Sequence, residues 1–268
     1  MNEPLGAWSN APLAYVLAEV RTELLADIKN YQPKLGGRLR DEYPIQRQMQ
    51  SAKLVATGNQ FVFEPQQDGA WEFATADNRI AVILRSTGLV LHATSYVDSK
   101  DFLSRLDRVV NLLNEEVPHV YVNRLGLRYV DFVLPRDNEL PEAYVDSRLC
   151  PDLGLSRQGE PNAMSLAIYE IEDRQLTLRY ARGRGKPELP PDLARLSLDR
   201  SPLMKLSTSD ENQITAVLDT DCILACAPVK RLDPVVLKGD FLRMHGDVSS
   251  AFRTAITAHA TKIWGGQK

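Results

Sequence analysis

The sequence has few of the residues and segments that signal a disulfide framework, a metal site or membrane insertion. It contains 3 cysteines and 4 histidines among 268 residues. So sparse and odd a cysteine set gives no disulfide framework, which is typical of a reducing compartment. No apolar run approaches the roughly 20 residues of a membrane-spanning helix, and the first residues lack the basic start of a secretion signal. These features predict a cytoplasmic protein without a membrane partner.

The sequence also lacks a surplus of basic residues. The formal net charge is −3 at pH 7, whereas general adhesion to nucleic acid or to an anionic membrane usually requires a cationic surface. Charged residues make up 25% of the chain and hydrophobic residues 44%, which are the proportions of an ordinary globular protein. Any contact with nucleic acid would therefore have to come from a local basic patch.

The common catalytic and cofactor motifs are missing from the sequence. It has no phosphate-binding G-x-x-x-x-G-K-[ST] loop, no G-x-S-x-G elbow and no H-E-x-x-H helix. Asp219 and Asp221 form a D-x-D pair without a third acidic or histidine ligand nearby in sequence, which disfavours a metal site. Cys222 and Cys226 are interpreted as buried thiols. The sequence thus predicts no cofactor and no metal and leans away from an enzyme, although an enzyme with a dispersed site stays open.

The hydrophobic pattern predicts two consecutive units of the same kind. The first unit, residues 1–118, contains a strand-like run from Leu13, a short helical stretch, four strand-like runs and an amphipathic helix. The second unit, residues 119–268, repeats this order and ends with a helix predicted from Asp247 to Trp264. Its four strand-like runs are MSLAIYEIE, QLTLRYAR, PLMKLSTSD and ITAVLDTDCILA. Each half is therefore predicted to be a β-α-β4-α unit.

Two such units predict an α+β fold in which helices cover one face of a curved antiparallel sheet. This order of elements is similar to the TATA-binding-protein type of fold. That resemblance implies that the first strands of the two halves meet at the centre and join them into one continuous sheet. The residues of the halves barely match, so the repeat lies in the order of elements.

Three segments resemble a known family. They are NAPLAYVLAEVR near the start, NRLGLRYVDFV in the middle and AFRTAITAHATKIWG near the end. They are similar to a prokaryotic family of uncharacterised function that is sporadically distributed among bacteria and archaea. The resemblance spans nearly the whole chain and includes no catalytic motif. A patchy distribution implies genes that travel between hosts, and hence an accessory or conflict-related role such as toxin neutralisation or defence.

The middle segment carries two arginines on an otherwise apolar side. Alternate residues of a strand share a face, which places Arg124, Gly126 and Arg128 together. The first strand has Glu19 and Arg21 on one face. If the two strands pair, Glu19 lies across from Arg124 or Arg128, and a structural Glu19–Arg128 ion pair is our first interpretation. Because the arginines outnumber the glutamate, Arg21, Arg124 and Arg128 are also candidates for binding an anion or an acidic partner.

A second basic cluster lies in TLRYARGRGKPELPP. It contains Arg179, Tyr180, Arg182, Arg184 and Lys186, with glycines that permit close backbone approach. In an acidic protein, such a basic hairpin indicates contact with nucleic acid or a partner, although a solvated loop is the simpler interpretation. The favoured function is non-enzymatic binding of a protein partner encoded nearby. The alternative is a nucleic-acid-binding module that uses the sheet face and this hairpin.

Overall fold

The elements of the fold come from a computed structural model that describes residues 8, 10–26, 28–57, 60–150, 162–193 and 197–265. The strands are β1 (Leu13–Thr22), β2 (Ile45–Thr57), β3 (Gln60–Ala74), β4 (Ile80–Arg85), β5 (Gly88–Ala93), β6 (Tyr121–Val133), β7 (Ala163–Ile171), β8 (Arg174–Arg184) and β9 (Ile214–Arg231). The helices are α1 (Ile28–Leu39), α2 (Ser99–Glu116), α3 (Ser201–Met204), α4 (Pro234–Ala255) and α5 (Ala258–Trp264). Short 3-10 turns cover Pro141–Ala143, Ser147–Leu149 and Pro191–Leu193.

The described strands form one antiparallel sheet in the order β2-β3-β4-β5-β1-β6-β9-β8-β7. At its centre β1 pairs with β6, and Ala18 lies opposite Leu127. Val16, Ala18 and Val20 are buried on the face that the helices cover. Because strand side chains alternate between faces, Glu19 and Arg21 lie on the opposite face, which is called the open face below. The predicted α+β fold with a large antiparallel sheet and several helices is confirmed.

The helix α2 shows why the helical layer forms where the sequence pattern placed it. Asp98 caps its start by accepting a hydrogen bond from the Asp101 backbone N–H at 2.7 Å. Its apolar stripe is buried in the core that also contains the helix face of β1 and β6; its members are Phe102, Leu103, Leu106, Val109, Val110 and Leu113. Among the described helices, none is both long and apolar enough to cross a membrane.

The last helix begins earlier than predicted and is divided into two helices, the second of which ends at the predicted Trp264. It was predicted from Asp247 to Trp264, but α4 already begins at Pro234. Asp233 accepts hydrogen bonds from two backbone N–H groups of the first turn, and Pro234 occupies a position where its missing N–H does no harm. Ile256 has extended backbone and ends α4, after which Thr257 caps the separate helix α5.

The predicted strand PLMKLSTSD is wrong, because this part of the chain forms α3 and a loop. Its first five residues belong to a crossing segment, residues 186–206, which is described at 186–193 and 197–206 and passes from β8 over one end of the open face. There Asn78 donates a side-chain hydrogen bond to the Ser197 carbonyl at 3.0 Å. The buried leucines of the segment that pack on the sheet are Leu193, Leu198 and Leu203. Because these leucines are buried between the crossing segment and the sheet, the segment has the apolar residues of a strand although it does not pair as one.

Candidate functional site

The part of the open face that the crossing segment leaves uncovered contains a groove of about 360 Å³. Its wall includes apolar side chains such as Leu17 and Val90 and charged side chains such as Arg85 and Arg124. The lining residues come from β1, β2, β4, β5, β6, β9 and the crossing segment. A groove with this mixture of apolar and charged groups suits a ligand that brings its own charge.

A row of arginines crosses the open face perpendicular to the strands. Arg85 on β4 lies opposite Gly88 on β5, Gly88 lies opposite Arg21 on β1, and Arg21 lies opposite Arg124 on β6. Gly88 has a φ of 126°, and a Cβ at this position would lie 2.0 Å from the Val20 carbonyl oxygen. Only glycine therefore fits between Arg85 and Arg21. These three arginines are called the arginine row below.

The arginine row holds more positive charge than its neighbours compensate. Glu19 lies opposite Gly126, between the two arginines of β6, and accepts a hydrogen bond from Arg124. Neither Arg21 nor Arg85 forms an ion pair with a carboxylate of the described residues, and both side chains are exposed. Arg21 and Arg124, two of the predicted anion-binding residues, thus lie opposite each other in a row that includes Arg85. Arg128 lies farther along β6 and lines the groove with Arg85 and Arg124.

Arg128 belongs to a buried ion-pair network, so the structural partner predicted for it has to be corrected. It donates two hydrogen bonds to Asp219, from Nε at 2.7 Å and from Nη2 at 2.8 Å, and a third to Asp192 at 2.5 Å. Asp219 is 2% exposed and also accepts a hydrogen bond from Arg179 at 3.1 Å. Glu19 pairs with Arg124 rather than Arg128 because two aspartates from β9 and the crossing segment already surround Arg128.

The Arg128 network fixes the crossing segment to the sheet. Burial raises the pKa of Asp192, but the hydrogen bond and charge of Arg128 outweigh this effect and hold the pKa below its ordinary value. Burial raises the pKa of Asp221, although Arg128 and Arg179 oppose the shift. The aspartates of the D-x-D pair therefore face arginines, and the described residues contain no cluster of three metal-binding side chains.

A second polar chain anchors the crossing segment on the other side of β1. The Tyr15 hydroxyl and His92 Nδ1 are 3.0 Å apart, and His92 Nε2 is 3.6 Å from Glu72. Ser197 of the crossing segment donates a hydrogen bond to Glu72, and Arg47 Nε lies 2.9 Å from the same carboxylate. His92 and Glu72 are each 1% exposed.

The charge state of Glu72 follows from these neighbours. Burial raises the pKa of Glu72, but the neighbouring His92 ring, the hydrogen bond from Ser197 and the charge of Arg47 lower it by more, so the pKa lies below its ordinary value. Glu72 is therefore a buried carboxylate at neutral pH. Its contacts tie β3, β5 and the crossing segment together, which is a structural role.

The basic residues predicted to form a hairpin are not gathered on one surface. Arg179 lies on the open face beside Asp219, whereas Tyr180 points to the helix side and is fully buried. Arg182 donates a hydrogen bond to Glu142 at 2.5 Å. Arg184 is exposed at the end of β8, and Lys186 is exposed just beyond it. The turn between β7 and β8 lies at residues 172–173, at the far end of the strand from this cluster.

The sequence analysis missed two features of the open face. Arg85 ends the run RIAVILR, and only the pairing of β4 with β5 reveals that it shares a row with Arg21. Strand β7 ends the described sheet on one side, and it exposes Met164, Leu166 and Ile168 on the open face. The apolar residues alternate along this part of the sequence, but such alternation predicts a strand with one buried side rather than an exposed apolar edge.

Comparison with protein-family models gives no match for this chain. Comparison with curated proteins gives no match either. The resemblance of the three segments to a sporadically distributed prokaryotic family therefore stays a prediction, and the function is argued from the arginine row and its surroundings.

Proposed function

We propose that this chain is a non-enzymatic binding protein whose open sheet face holds an anionic group of a protein partner. The observation that carries the proposal is the arginine row, in which Glu19 pairs with Arg124 while Arg21 and Arg85 form no ion pair with the described carboxylates. Like charges directly opposite on neighbouring strands are unfavourable. An incoming carboxylate or phosphate would relieve this repulsion, and the planar guanidinium group binds such anions through two hydrogen bonds.

The exposed apolar residues of β7 support a protein as the partner. Met164 is 74% exposed, and Leu166 and Ile168 lie on the same face as the arginine row. An edge strand presents unpaired backbone groups to which an extended segment of another chain can add. One protein surface can present both an anionic side chain to the arginines and apolar side chains to β7. The resemblance to a mobile gene family adds the proposal that a neighbouring gene encodes this partner in an accessory or conflict-related system.

We also infer that the chain consists of two equivalent halves, residues 1–118 and 119–268, arranged as in the TATA-binding-protein type of fold. The pairing of the two long strands β1 and β6 at the centre supports this inference. Among the described strands, the second half contributes β7, β8 and β9 beside β6, one strand fewer than the first half contributes beside β1. The saddle-like arrangement gives no preference for nucleic acid, because the basic residues of β8 are divided between two faces.

The experiment is affinity capture of the tagged protein from its own host, with a variant that lacks the uncompensated charges. Arg21→Gln together with Arg85→Gln removes two exposed arginines without breaking an ion pair to a described residue. The matched control is Lys29→Gln with Arg40→Gln, which removes the same charge from exposed positions in and beside α1. The captured partner should be one stoichiometric protein that the control retains, that the arginine variant loses and that about 0.5 M salt releases.

Two results would contradict the proposal. A partner retained equally by the arginine variant would show that the arginine row is not the contact. Nucleic acid in place of a protein, released by salt, would favour the alternative function.

A further inference from the structure

A small cleft lies on the helix side of the sheet, away from the arginine row. Its volume is about 40 Å³, and it lies between the N-terminal segment, β6, β9 and α4. Its wall includes the rings of Trp8, Tyr96, Tyr129, His245 and Phe252 together with apolar side chains such as Leu13 and Val248. Tyr96 meets Tyr129 edge-on with ring centroids 5.9 Å apart, and Trp8 lies 6.1 Å from Phe252. The face of an aromatic ring carries negative potential and attracts a cation.

A buried carboxyl group without a partner lies in this cleft. Asp131 is 4% exposed and lines the cleft, yet no described residue donates a hydrogen bond to its side chain. Among the described residues, the lining contains no lysine or arginine. Nearby Thr220 is fully buried, and its hydroxyl has no hydrogen-bond partner in the described part of the chain. Buried polar groups in native proteins are normally paired, so Asp131 and Thr220 together point to a group that enters the cleft.

We propose that this cleft binds the ammonium group of a small-molecule amine. Asp131 acts as its counter-ion, the aromatic rings lie beside it, and the Thr220 hydroxyl oxygen accepts a hydrogen bond from one of its N–H groups. A cation is attracted both by a carboxylate and by the faces of aromatic rings. An anion would meet Asp131 without a compensating cation, and an apolar group would leave Asp131 and Thr220 unpaired.

The size of the cleft limits the ligand to a small head group. About 40 Å³ is room for roughly three water molecules, or for an ammonium group with its first carbon atoms. The cleft shares Trp8, Ala11, Leu13 and Tyr96 with a neighbouring groove of about 280 Å³. This groove gives the remainder of a longer amine a path toward Thr94 and Ser95. The site lies on the opposite side of the sheet from the arginine row and stands independently of the proposed function.

The test compares n-propylammonium with propan-1-ol, which has the same length and no charge. Ligand-observed NMR near pH 8 should show binding of n-propylammonium in the millimolar range and at least tenfold weaker binding of propan-1-ol. Asp131→Asn keeps the shape of the side chain and should weaken n-propylammonium binding at least tenfold. The control Asp41→Asn removes an exposed carboxyl elsewhere and should bind like wild type. Equal binding of the amine and the alcohol, or of wild type and Asp131→Asn, would overturn the proposal.

Proton release gives a second measurement that needs no variant. Burial, helped by the charge of Asp219, raises the pKa of Asp131 to about 8, so the group is largely protonated at pH 7. The other groups near it keep their charge between pH 7 and 8: burial raises the pKa of Tyr96 and Tyr129 and lowers the pKa of His245. Binding of n-propylammonium should therefore release a proton at pH 7 and strengthen toward pH 8. Binding without proton release, or no binding at all, would overturn the assignment to Asp131.

Discussion

Arg21 and Arg124 lie directly opposite each other on the two central strands of the sheet. Glu19 accepts a hydrogen bond from Arg124 and leaves Arg21 beside a second positive charge. Directly opposed like charges disfavour strand pairing, yet the pair occurs in β1 and β6, whose other faces are buried in the core. The apolar burial behind these strands therefore holds together a charge arrangement that is unfavourable on its own.

Arg21→Gln should stabilise the protein, because it removes an exposed charge that repels Arg124 and forms no ion pair with a carboxylate of the described residues. The expected gain is about 0.2–1 kcal/mol in the free energy of unfolding, the range for one cross-strand pair. Urea denaturation at low salt measures it, and the gain should shrink at high salt as screening increases. The control Lys29→Gln should leave the urea midpoint almost unchanged. A loss of stability in Arg21→Gln would mean that Arg21 has a favourable role in the fold.

Arg128→Ala should destabilise the protein by about 3–5 kcal/mol, because it leaves the buried carboxylate of Asp219 without its bidentate partner. Arg179 also donates to Asp219 and should keep the loss at the lower end of this range. The free energy of unfolding in urea is the measurement. Arg148→Ala, which breaks an exposed ion pair with Asp146, should leave the midpoint near that of wild type. An unchanged melt of Arg128→Ala would show that Asp219 tolerates its loss.

Arg21 and Arg128 show how far the sequence predicted the site. Alternation along β1 and β6 correctly placed Arg21, Arg124 and Arg128 on one face, because the period of a strand is local information. The choice of partner was wrong because register is decided by the pairing of distant strands, which puts Glu19 opposite Gly126. Arg128 is surrounded by aspartates from β9 and from the crossing segment, and neither contact is visible along the chain.

For the fold as well, the sequence predicted local features and missed those that depend on residues distant in the chain. Helix α2 follows from its buried stripe and its Asp98 cap, both of which are read within a few residues. The segment around Leu203 was predicted as a strand because its apolar residues are buried against the open face of the sheet, as those of a strand would be. Glu72 was overlooked because a carboxylate inside an apolar strand acquires its meaning only from His92 and Ser197, which are distant in sequence.

Glu72→Gln should make the free energy of unfolding less dependent on pH in the acid range. The pKa of Glu72 in the folded protein lies below its ordinary 4.5, so the folded state favours the carboxylate. This stabilisation is complete above the ordinary pKa and disappears as the pH falls through the lower pKa of the folded state. Urea midpoints between about pH 3 and pH 7 measure it. Glu72→Gln should be less stable than wild type at pH 7, and the two should converge at the acid end; parallel curves would contradict the assigned shift.

Cys222 should resist thiol reagents as long as the protein is folded. The structure confirms that Cys222 and Cys226 are free buried thiols, and burial raises the pKa of Cys222 to about 12. The reactive thiolate is therefore scarce at pH 8 and shielded from the reagent. Mass spectrometry after brief exposure to iodoacetamide should find Cys222 unmodified in the native protein and modified after denaturation in urea. Rapid native modification would show that β9 opens readily.

Asp131→Asn should stabilise the protein increasingly as the pH rises from about 4 to about 8. The pKa of Asp131 is raised from 3.8 to about 8 in the folded state, so the folded protein binds a proton that the unfolded chain releases. Wild-type stability therefore falls with rising pH, by at most about 1.4 kcal/mol per pH unit for one group. Asparagine has no proton to lose and avoids this loss. Urea denaturation of both proteins at four pH values measures the difference, and a constant difference would contradict a protonated Asp131.

The same pair of proteins links this stability to the ammonium site. A bound amine supplies the charge that the Asp131 carboxylate lacks, so saturating n-propylammonium at pH 8 should raise the urea midpoint of wild type. The gain follows from binding to the folded state alone and grows with the logarithm of the amine concentration. Asp131→Asn should gain nothing from the amine, and propan-1-ol should stabilise neither protein. Equal stabilisation of both proteins by the amine would assign its effect to a site other than Asp131.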